Sequence, residues 1–188
     1  MNLNYRLILA SNSPRRQMLL KELGLDFEVI PQDIDESYPT ELPVKEVAEY
    51  IATKKAAAYV LNKGELIITA DTVVIAGDAI LGKPKDEKEA ISTLEKLSNK
   101  THIVTTGVCL KTTDKQISFS QTTDVTFDKI TTEEIKYYVR KYQPYDKAGS
   151  YAIQEWIGMI GIKSINGDYY NVVGLPIQAL WASLKEFK

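Results

Sequence analysis

The residues best suited to chemistry lie in loops that follow apolar runs. The stretch "SNSPRR" places Ser11, Arg15 and Arg16 where a strand would end and a helix begin. A helix N-terminus offers unpaired N–H groups and positive potential, which suits a phosphate. Arginines in a first turn oppose that dipole, so helix stability does not explain them. Guanidinium forks match phosphate oxygens in pairs. Arg15 and Arg16 therefore read either as a polyphosphate clamp or as two solvated charges following a proline. The stretch alone leaves both open.

Asp71 stands in "LIITADTVV", a carboxylate between two apolar β-type runs. It suits a metal ligand or a general base at a strand end. The plainer alternative is a turn aspartate bonding its own backbone. "QDIDES" gathers Asp33, Asp35 and Glu36. Magnesium takes one or two carboxylates plus substrate phosphates, although this stretch by itself also reads as a solvated acidic loop. "GDAILGKPK" matches the start of a phosphate-binding P-loop from Gly77 to Lys83, but Pro84 stands where a Ser or Thr should reach magnesium. Its setting is also hairpin-like, so a P-loop is rejected and Lys83 stays a candidate phosphate ligand from a loop. In "DKAGSYAIQ", Lys147 is a candidate phosphate contact. Gln154 offers an amide donor and acceptor, as needed to read a pyrimidine edge. The single cysteine, Cys109, and the single histidine, His102, share one β-type run and read as structural.

The elements that position these residues follow from periodicity and punctuation. The chain has 188 residues, enough for one full-sized domain or one domain split into two lobes. A hydrophobic share of 44% and a charged share of 26% are those of an ordinary soluble domain. The net charge of −2 excludes the global basic field of a non-specific nucleic-acid binder, so any anion site is built locally. With no signal peptide and no long apolar span, a cytoplasmic protein without membrane contact is expected.

"YRLILA" reads as a buried strand, followed by a helix with Ser13 as N-cap, Pro14 in its first position and Gly24 at its end. "LDFEVI" alternates like a half-buried strand, and "PQDIDESYPTEL" is a loop. A helix is expected from Pro43 to about Lys63, with Val44, Val47, Ile51, Ala58 and Leu61 near one face. "LIITA" runs straight into "DTVVIAG", then turns at "GD" into "AIL". Asp86 caps a further helix. "THIVTTGVCLKT" and "QISFSQTTDVTF" make a hairpin, and Thr131 with Glu134 makes a capping box. "MIGIKSI" and "YYNVVG" read as a second hairpin around "NGD". A last helix from Pro176 to Lys188 carries Ile177, Leu180, Trp181, Leu184 and Phe187 on one stripe. Early alternation and later hairpins predict an α/β or α+β protein with a mixed sheet.

Taken in order, "LASNSPRR", "DIDES", "ATKKA", "ADTVV", "GKPKD", "TGV", "DKAGSYAIQ" and "GDYYNVVGLP" resemble the Maf family of nucleoside-triphosphate pyrophosphatases. The resemblance covers nearly the whole chain. It implies hydrolysis of a nucleoside triphosphate to the monophosphate and pyrophosphate, with Mg2+ or Mn2+ as the divalent cation. It implies an α/β fold similar to inosine-triphosphate pyrophosphatases: an elongated mixed β-sheet flanked by helices, two lobes with a central cleft, in one domain over residues 1–188. It also implies a cytoplasmic homodimer that binds no nucleic acid, house-cleaning of nucleotide pools, and a link to septum formation.

By the same resemblance, Asp71 is the catalytic base and Glu36 a metal ligand; Asp71, by its residue type, is expected to hold the metal with Glu36. Ser11, Arg15 and Arg16 bind the phosphates, and the motif lysines map to Lys55 and Lys83, beside the candidate Lys147. Arg15, Thr72 and Gln154 mark the subgroup acting on dTTP and UTP rather than its sister acting on 7-methyl-GTP. One departure follows Gln154, where "EWIGM" with bulky Trp156 replaces the small, glycine-rich stretch of many relatives. The alternatives are the 7-methyl-GTP specificity, a nucleotide-responsive regulator of cell division with incidental hydrolysis, and a P-loop phosphatase releasing orthophosphate.

Overall fold

Strand β1 (Arg6–Leu9) carries three consecutive buried side chains, Leu7, Ile8 and Leu9, and this apolar run anchors one unit of the protein. The computed structural model describes residues 3–187. Contacts divide these into two units. One comprises the chain up to Asp71, Thr106–Gln121 and the segment from Gly174; the other comprises Thr72–Thr105 and Thr122–Val173.

In the first unit, α1 (Pro14–Glu22) starts as expected. The Ser13 side chain accepts the Arg16 N–H and Pro14 occupies the first turn. The following strand is shorter than its alternation suggests. β2 (Glu28–Val29) has only two residues, both exposed, at the edge of the sheet. α2 (Val47–Ala57) is also shorter than expected and its buried face differs. The side chains that face inward are Val47, Ala48, Ile51, Ala52 and Ala56, while Ala58 is exposed and Val44 and Leu61 are only half-buried. Tertiary bonds set the early end. Lys111 Nζ takes the Ala56 carbonyl at 3.2 Å. Tyr59 leaves the helix to pack with Ile8 and Ile67 and to donate to the Ile30 carbonyl at 2.7 Å. These contacts outweigh the helical propensity of "AAAYVLNK".

β3 (Glu65–Ala76) is one continuous strand of 12 residues, turning at Gly77 into β4 (Ala79–Leu81). β1 pairs in parallel with β2 and β3. Asp86 caps α3 (Glu87–Leu97) by accepting the Glu89 N–H at 2.8 Å. β5 (Thr101–Lys111) and β6 (Gln116–Phe127) follow as the expected long strands. α4 (Thr132–Tyr142) opens on the Thr131–Glu134 capping box with both of its bonds in place.

The expected second hairpin does not form. Instead "WIGMIG" makes α5 (Trp156–Gly161), β7 (Ile162–Asn166) pairs antiparallel with β6, and "YYNVV" becomes α6 (Tyr169–Val173). Two side-chain anchors explain the helix. Asp168 accepts the Tyr170 N–H at 2.8 Å, an N-terminal cap, and buried Asn171 donates to the Val104 carbonyl and to Thr123 Oγ1, both at 2.9 Å. α7 (Ile177–Leu184) ends in a 3-10 turn, Lys185–Phe187, with Leu180, Leu184 and Phe187 buried; Lys188 lies outside the described residues. The strand order is β2-β1-β3-β5-β6-β7, with β4 beside β3. Among the described residues no helix is long and apolar enough to cross a membrane.

The seat of α2 depends on small residues. Ala48, Ala52 and Ala56 recur at a spacing of four, so they share one face of the helix. Ala52 and Ala56 pack on Cys109, and Thr69 Oγ1 donates to the Ala52 carbonyl at 2.6 Å. Gly107 permits the closest approach: a Cβ there would lie 2.3 Å from Ala48 C and Glu49 N. Burial pushes the Cys109 thiol up to about 11, in keeping with a packing role.

Gly107→Ala forces backbone against backbone and should cost about 1–3 kcal/mol of stability, read from urea unfolding; an unchanged midpoint would contradict the close seat of α2. In the second unit, His102 is buried among Phe127 and Tyr151, with Nε2 hydrogen-bonded to the Tyr151 hydroxyl and Nδ1 without a partner. Burial pushes its imidazole down to about 4 from 6.5. Below 6.5 the unfolded chain takes up a proton that the folded chain refuses. The stability from neutral burial is therefore full above pH 6.5 and lost as pH falls toward 4. The loss is on the order of 3 kcal/mol. Melting temperatures across this range should fall less steeply in His102→Gln; parallel curves would assign the acid sensitivity elsewhere.

Candidate active site

In the first unit the candidate residues converge on Asp71, the residue at which β3 leaves the unit. Lys55, in the last turn of α2, reaches it: Nζ lies 2.9 Å from Asp71 Oδ1 and 2.6 Å from Glu36 Oε1. The Lys55 and Asp71 side chains are 15% and 14% exposed, and Glu36 is 53% exposed. One ammonium thus joins a shielded carboxylate to one that projects toward water. A lysine in a last helical turn is favoured by the dipole, in contrast to Arg15 and Arg16.

The acidic loop divides its labour. Asp35 binds the Ser37 hydroxyl, accepts the Ser37 N–H at 3.0 Å and pairs with Lys54 Nζ at 2.9 Å. The Ser37 hydroxyl, Lys54 and the Ser37 N–H hold the Asp35 carboxyl well below the usual carboxylate range. Lys54 also donates to the Ser37 carbonyl at 2.8 Å. Adjacent lysines of α2 therefore fasten adjacent acids of the loop, Lys54 to Asp35 and Lys55 to Glu36. Asp33 is exposed. The pairing through Lys54 was not anticipated; its signal was the doubled lysine of "ATKKA".

Arg16 has a more structural position than a pure phosphate clamp. Its Nε donates to the Gly174 carbonyl at 2.9 Å, and Nη1 donates to the Ala70 carbonyl at 2.8 Å and to Ser11 Oγ at 3.4 Å. It ties the start of α1 to the residue preceding Asp71 and to the segment before α7. Withdrawal from water lowers the proton affinity of its guanidinium; Asp71 raises it, Arg15 lowers it and Glu36 raises it. Arginine stays charged across the ordinary pH range. Arg15, Arg16, Glu36 and Asp71 thus share one local field. Ser11 is buried, and its Oγ also accepts the Ser13 N–H at 3.2 Å.

The carboxylates of Glu36 and Asp71 are the donors available to a metal here. Among the described residues no group of three or more His, Cys, Asp or Glu side chains could hold one. Two carboxylates that already share a cation suit a hard ion whose remaining ligands are phosphate oxygens and water. The donor set fits magnesium or manganese arriving with a nucleotide, and does not fit a zinc cage.

Thr72, Lys83, Lys147 and Gln154 belong to the second unit. Thr72 is half-buried in β3 beside Asp71. Lys83 is exposed in the loop after β4, and the neighbouring Gly82 carbonyl accepts the Gly149 N–H at 3.2 Å, which joins that loop to the Lys147 turn. No helix begins at Lys83, as the rejection of a P-loop requires. Lys147 is buried, with Nζ 2.7 Å from Asp146 Oδ1 and 3.5 Å from Glu155 Oε1. Gln154 is exposed in the turn before α5.

The chain matches the family model described as "Maf-like protein" over residues 6–187. It is 54% identical to the dTTP/UTP pyrophosphatase of Bacteroides thetaiotaomicron over 97% of this chain and 96% of that protein. The dTTP/UTP pyrophosphatases of Parabacteroides distasonis and Flavobacterium psychrophilum are 53% and 50% identical, over 97% and 96% of this chain and 96% and 94% of their own lengths. Among solved structures, the Ham1 protein of Staphylococcus aureus superimposes with a TM-score of 0.56 at 21% identity, covering 97% of this chain and 100% of that one. A HAM1 protein from Coxiella burnetii gives 0.53 at 14% identity, covering 97% and 99%. These two show a shared fold, as the resemblance to inosine-triphosphate pyrophosphatases implied. By the match over almost its full length and by relatives sharing half of its residues, the chain belongs to the Maf family.

Proposed function

We propose that this protein is a nucleoside-triphosphate pyrophosphatase that hydrolyses dTTP and UTP to the monophosphate and pyrophosphate. The observation that carries the reading is the shielded Asp71 carboxylate, held by Lys55 and flanked by Arg16. An acid, a base and phosphate-compatible cations stand within one unit, whereas a pure nucleotide sensor needs binding groups alone. The relatives' names supply the substrate class.

In this reading Asp71 takes the proton of a water molecule as its oxygen attacks the α-phosphorus. The new O–P bond replaces the bridging bond to the β-phosphate, and pyrophosphate leaves. Glu36 and Asp71 would hold a divalent cation, Mg2+ or Mn2+, which would offset the charge of the phosphates. Arg15, Arg16, Ser11, Lys55, Lys83 and Lys147 bind and orient the triphosphate, because phosphoryl transfer depends mostly on positioning and charge stabilisation. Lys55 holds Asp71 in place and, with the arginines, carries the positive potential that draws in an anion. Thr72 and Gln154 select the base. A homodimer and a cytoplasmic location belong to the same reading, through the resemblance.

The test is pyrophosphate release from a panel of nucleoside triphosphates with magnesium. Asp71→Asn should lower kcat by about 10²–10⁴-fold, the range for loss of a general base, while nucleotide still binds. Near-normal turnover in that variant would remove Asp71 from the chemistry, and orthophosphate as the product would favour a phosphatase. The arginines should separate. Arg16→Ala strands the buried Ala70 carbonyl and should cost about 1–3 kcal/mol of stability as well as turnover. Arg15→Ala should weaken nucleotide binding. An unchanged unfolding midpoint in Arg16→Ala would contradict the structural share assigned to Arg16.

A further inference from the structure

One phenol holds both ends of the turn that presents Gln154. Tyr138 of α4 is fully buried. Its hydroxyl accepts the Ala152 N–H at 3.2 Å and donates to the Glu155 carboxylate through Oε2. The Glu155 N–H returns to the Ala152 carbonyl at 3.1 Å, closing a β-turn with Ile153 and Gln154 at its centre. Burial and the neighbouring Glu155 push the Tyr138 hydroxyl upward, so it keeps its proton and stays a donor. The other carboxylate oxygen of Glu155, Oε1, lies 3.5 Å from Lys147 Nζ. Gly158 locks the turn from behind: a Cβ there would sit 1.9 Å from the Ile153 carbonyl oxygen. Trp156, the bulky departure noted in the sequence, packs edge-on against Tyr137 with centroids 4.9 Å apart, so α5 is seated on α4 through consecutive tyrosines.

We infer that Tyr138 and Glu155 are positioning residues for nucleotide specificity: together they fix the turn that aims the Gln154 amide and tie it to the Lys147 ammonium. The inference rests on the base-reading role proposed for Gln154. Glu155 precedes α5, yet its side chain makes no cap bond to that helix. Its carboxylate is spent on Tyr138 and Lys147 instead. A turn with a free side chain at its apex has no intrinsic rigidity, and an amide reads a base edge only when its direction is fixed. The shared phenol supplies that rigidity without touching the substrate.

The experiment compares kcat/KM for UTP and CTP, with magnesium, in the wild type, Tyr138→Phe, Glu155→Ala, Glu155→Gln and Gln154→Ala. Tyr138→Phe removes one oxygen and keeps the ring, and the UTP/CTP ratio should fall about tenfold. Glu155→Ala should lower the ratio similarly. Glu155→Gln still accepts from Tyr138 and should restore most of it. A general loss of packing would lower both rates together and leave the ratio alone. If Gln154→Ala leaves the ratio unchanged, the base-reading role falls and this inference with it. If Gln154→Ala collapses the ratio while folded Tyr138→Phe retains it, the positioning role alone is overturned. Should Tyr138→Phe fail to fold, equal ratios in Glu155→Ala and Glu155→Gln would overturn it as well.

Discussion

The Lys55 ammonium between Asp71 and Glu36 is the contact around which the first unit is organised. Two shielded opposite charges repay their desolvation only when geometry holds them together. The geometry comes from α2. Its alanine face, the Thr69 bond to Ala52 and the bare backbone of Gly107 set the helix on the sheet closely enough for Lys55 to reach the strand. Arg16 also donates to the Ala70 carbonyl, so the residue before Asp71 is tied down as well. A small-residue helix face, which contributes little burial, is thus explained by the position of one side chain.

That arrangement also resolves the poor placement of arginines at a helix start. Three cations, Arg15, Arg16 and Lys55, stand against two carboxylates, Glu36 and Asp71, in one local field of a chain whose net charge is −2. The arginines oppose the α1 dipole, and in the proposed function a polyanion would relieve that conflict on arrival. Arg16 offsets part of its cost beforehand by satisfying buried carbonyls. The two readings left open by "SNSPRR" are therefore both incomplete: Arg16 is neither a free clamp nor a solvated charge, but a cross-link carrying a charge.

What was legible in the sequence was what short-range physics decides. The Asp86 cap, the Thr131–Glu134 box and the Ser13–Pro14 helix start all appear as read, because each involves residues within one turn. The apolar runs on either side of Asp71 were legible, but Asp71, read as standing at a strand end or in a turn, lies inside the continuous strand β3. Failures arose where distant partners decide. α2 stops at Ala57 because Tyr59 and Lys111 find partners on other elements. The second hairpin is replaced because Asn171 buries its amide against Val104 and Thr123. The site follows the same division: Asp71, Lys55 and the arginines stood out by type and motif, whereas Lys54, Tyr138 and Glu155 acquire their roles only through contacts remote in sequence. Trp156 stood out as a departure, but only the α4–α5 packing says what it does.

The central claim is that Asp71 and its cationic neighbours direct water to the α-phosphorus of a nucleoside triphosphate. Hydrolysis of UTP in 18O-labelled water, read by the isotope shift in phosphorus NMR, tests it most directly. The account predicts that the label enters the monophosphate and that pyrophosphate emerges unlabelled. Label in the pyrophosphate would place the attack on the β-phosphorus, and labelled orthophosphate would place it on the γ-phosphorus; either would contradict the chemistry assigned to this site.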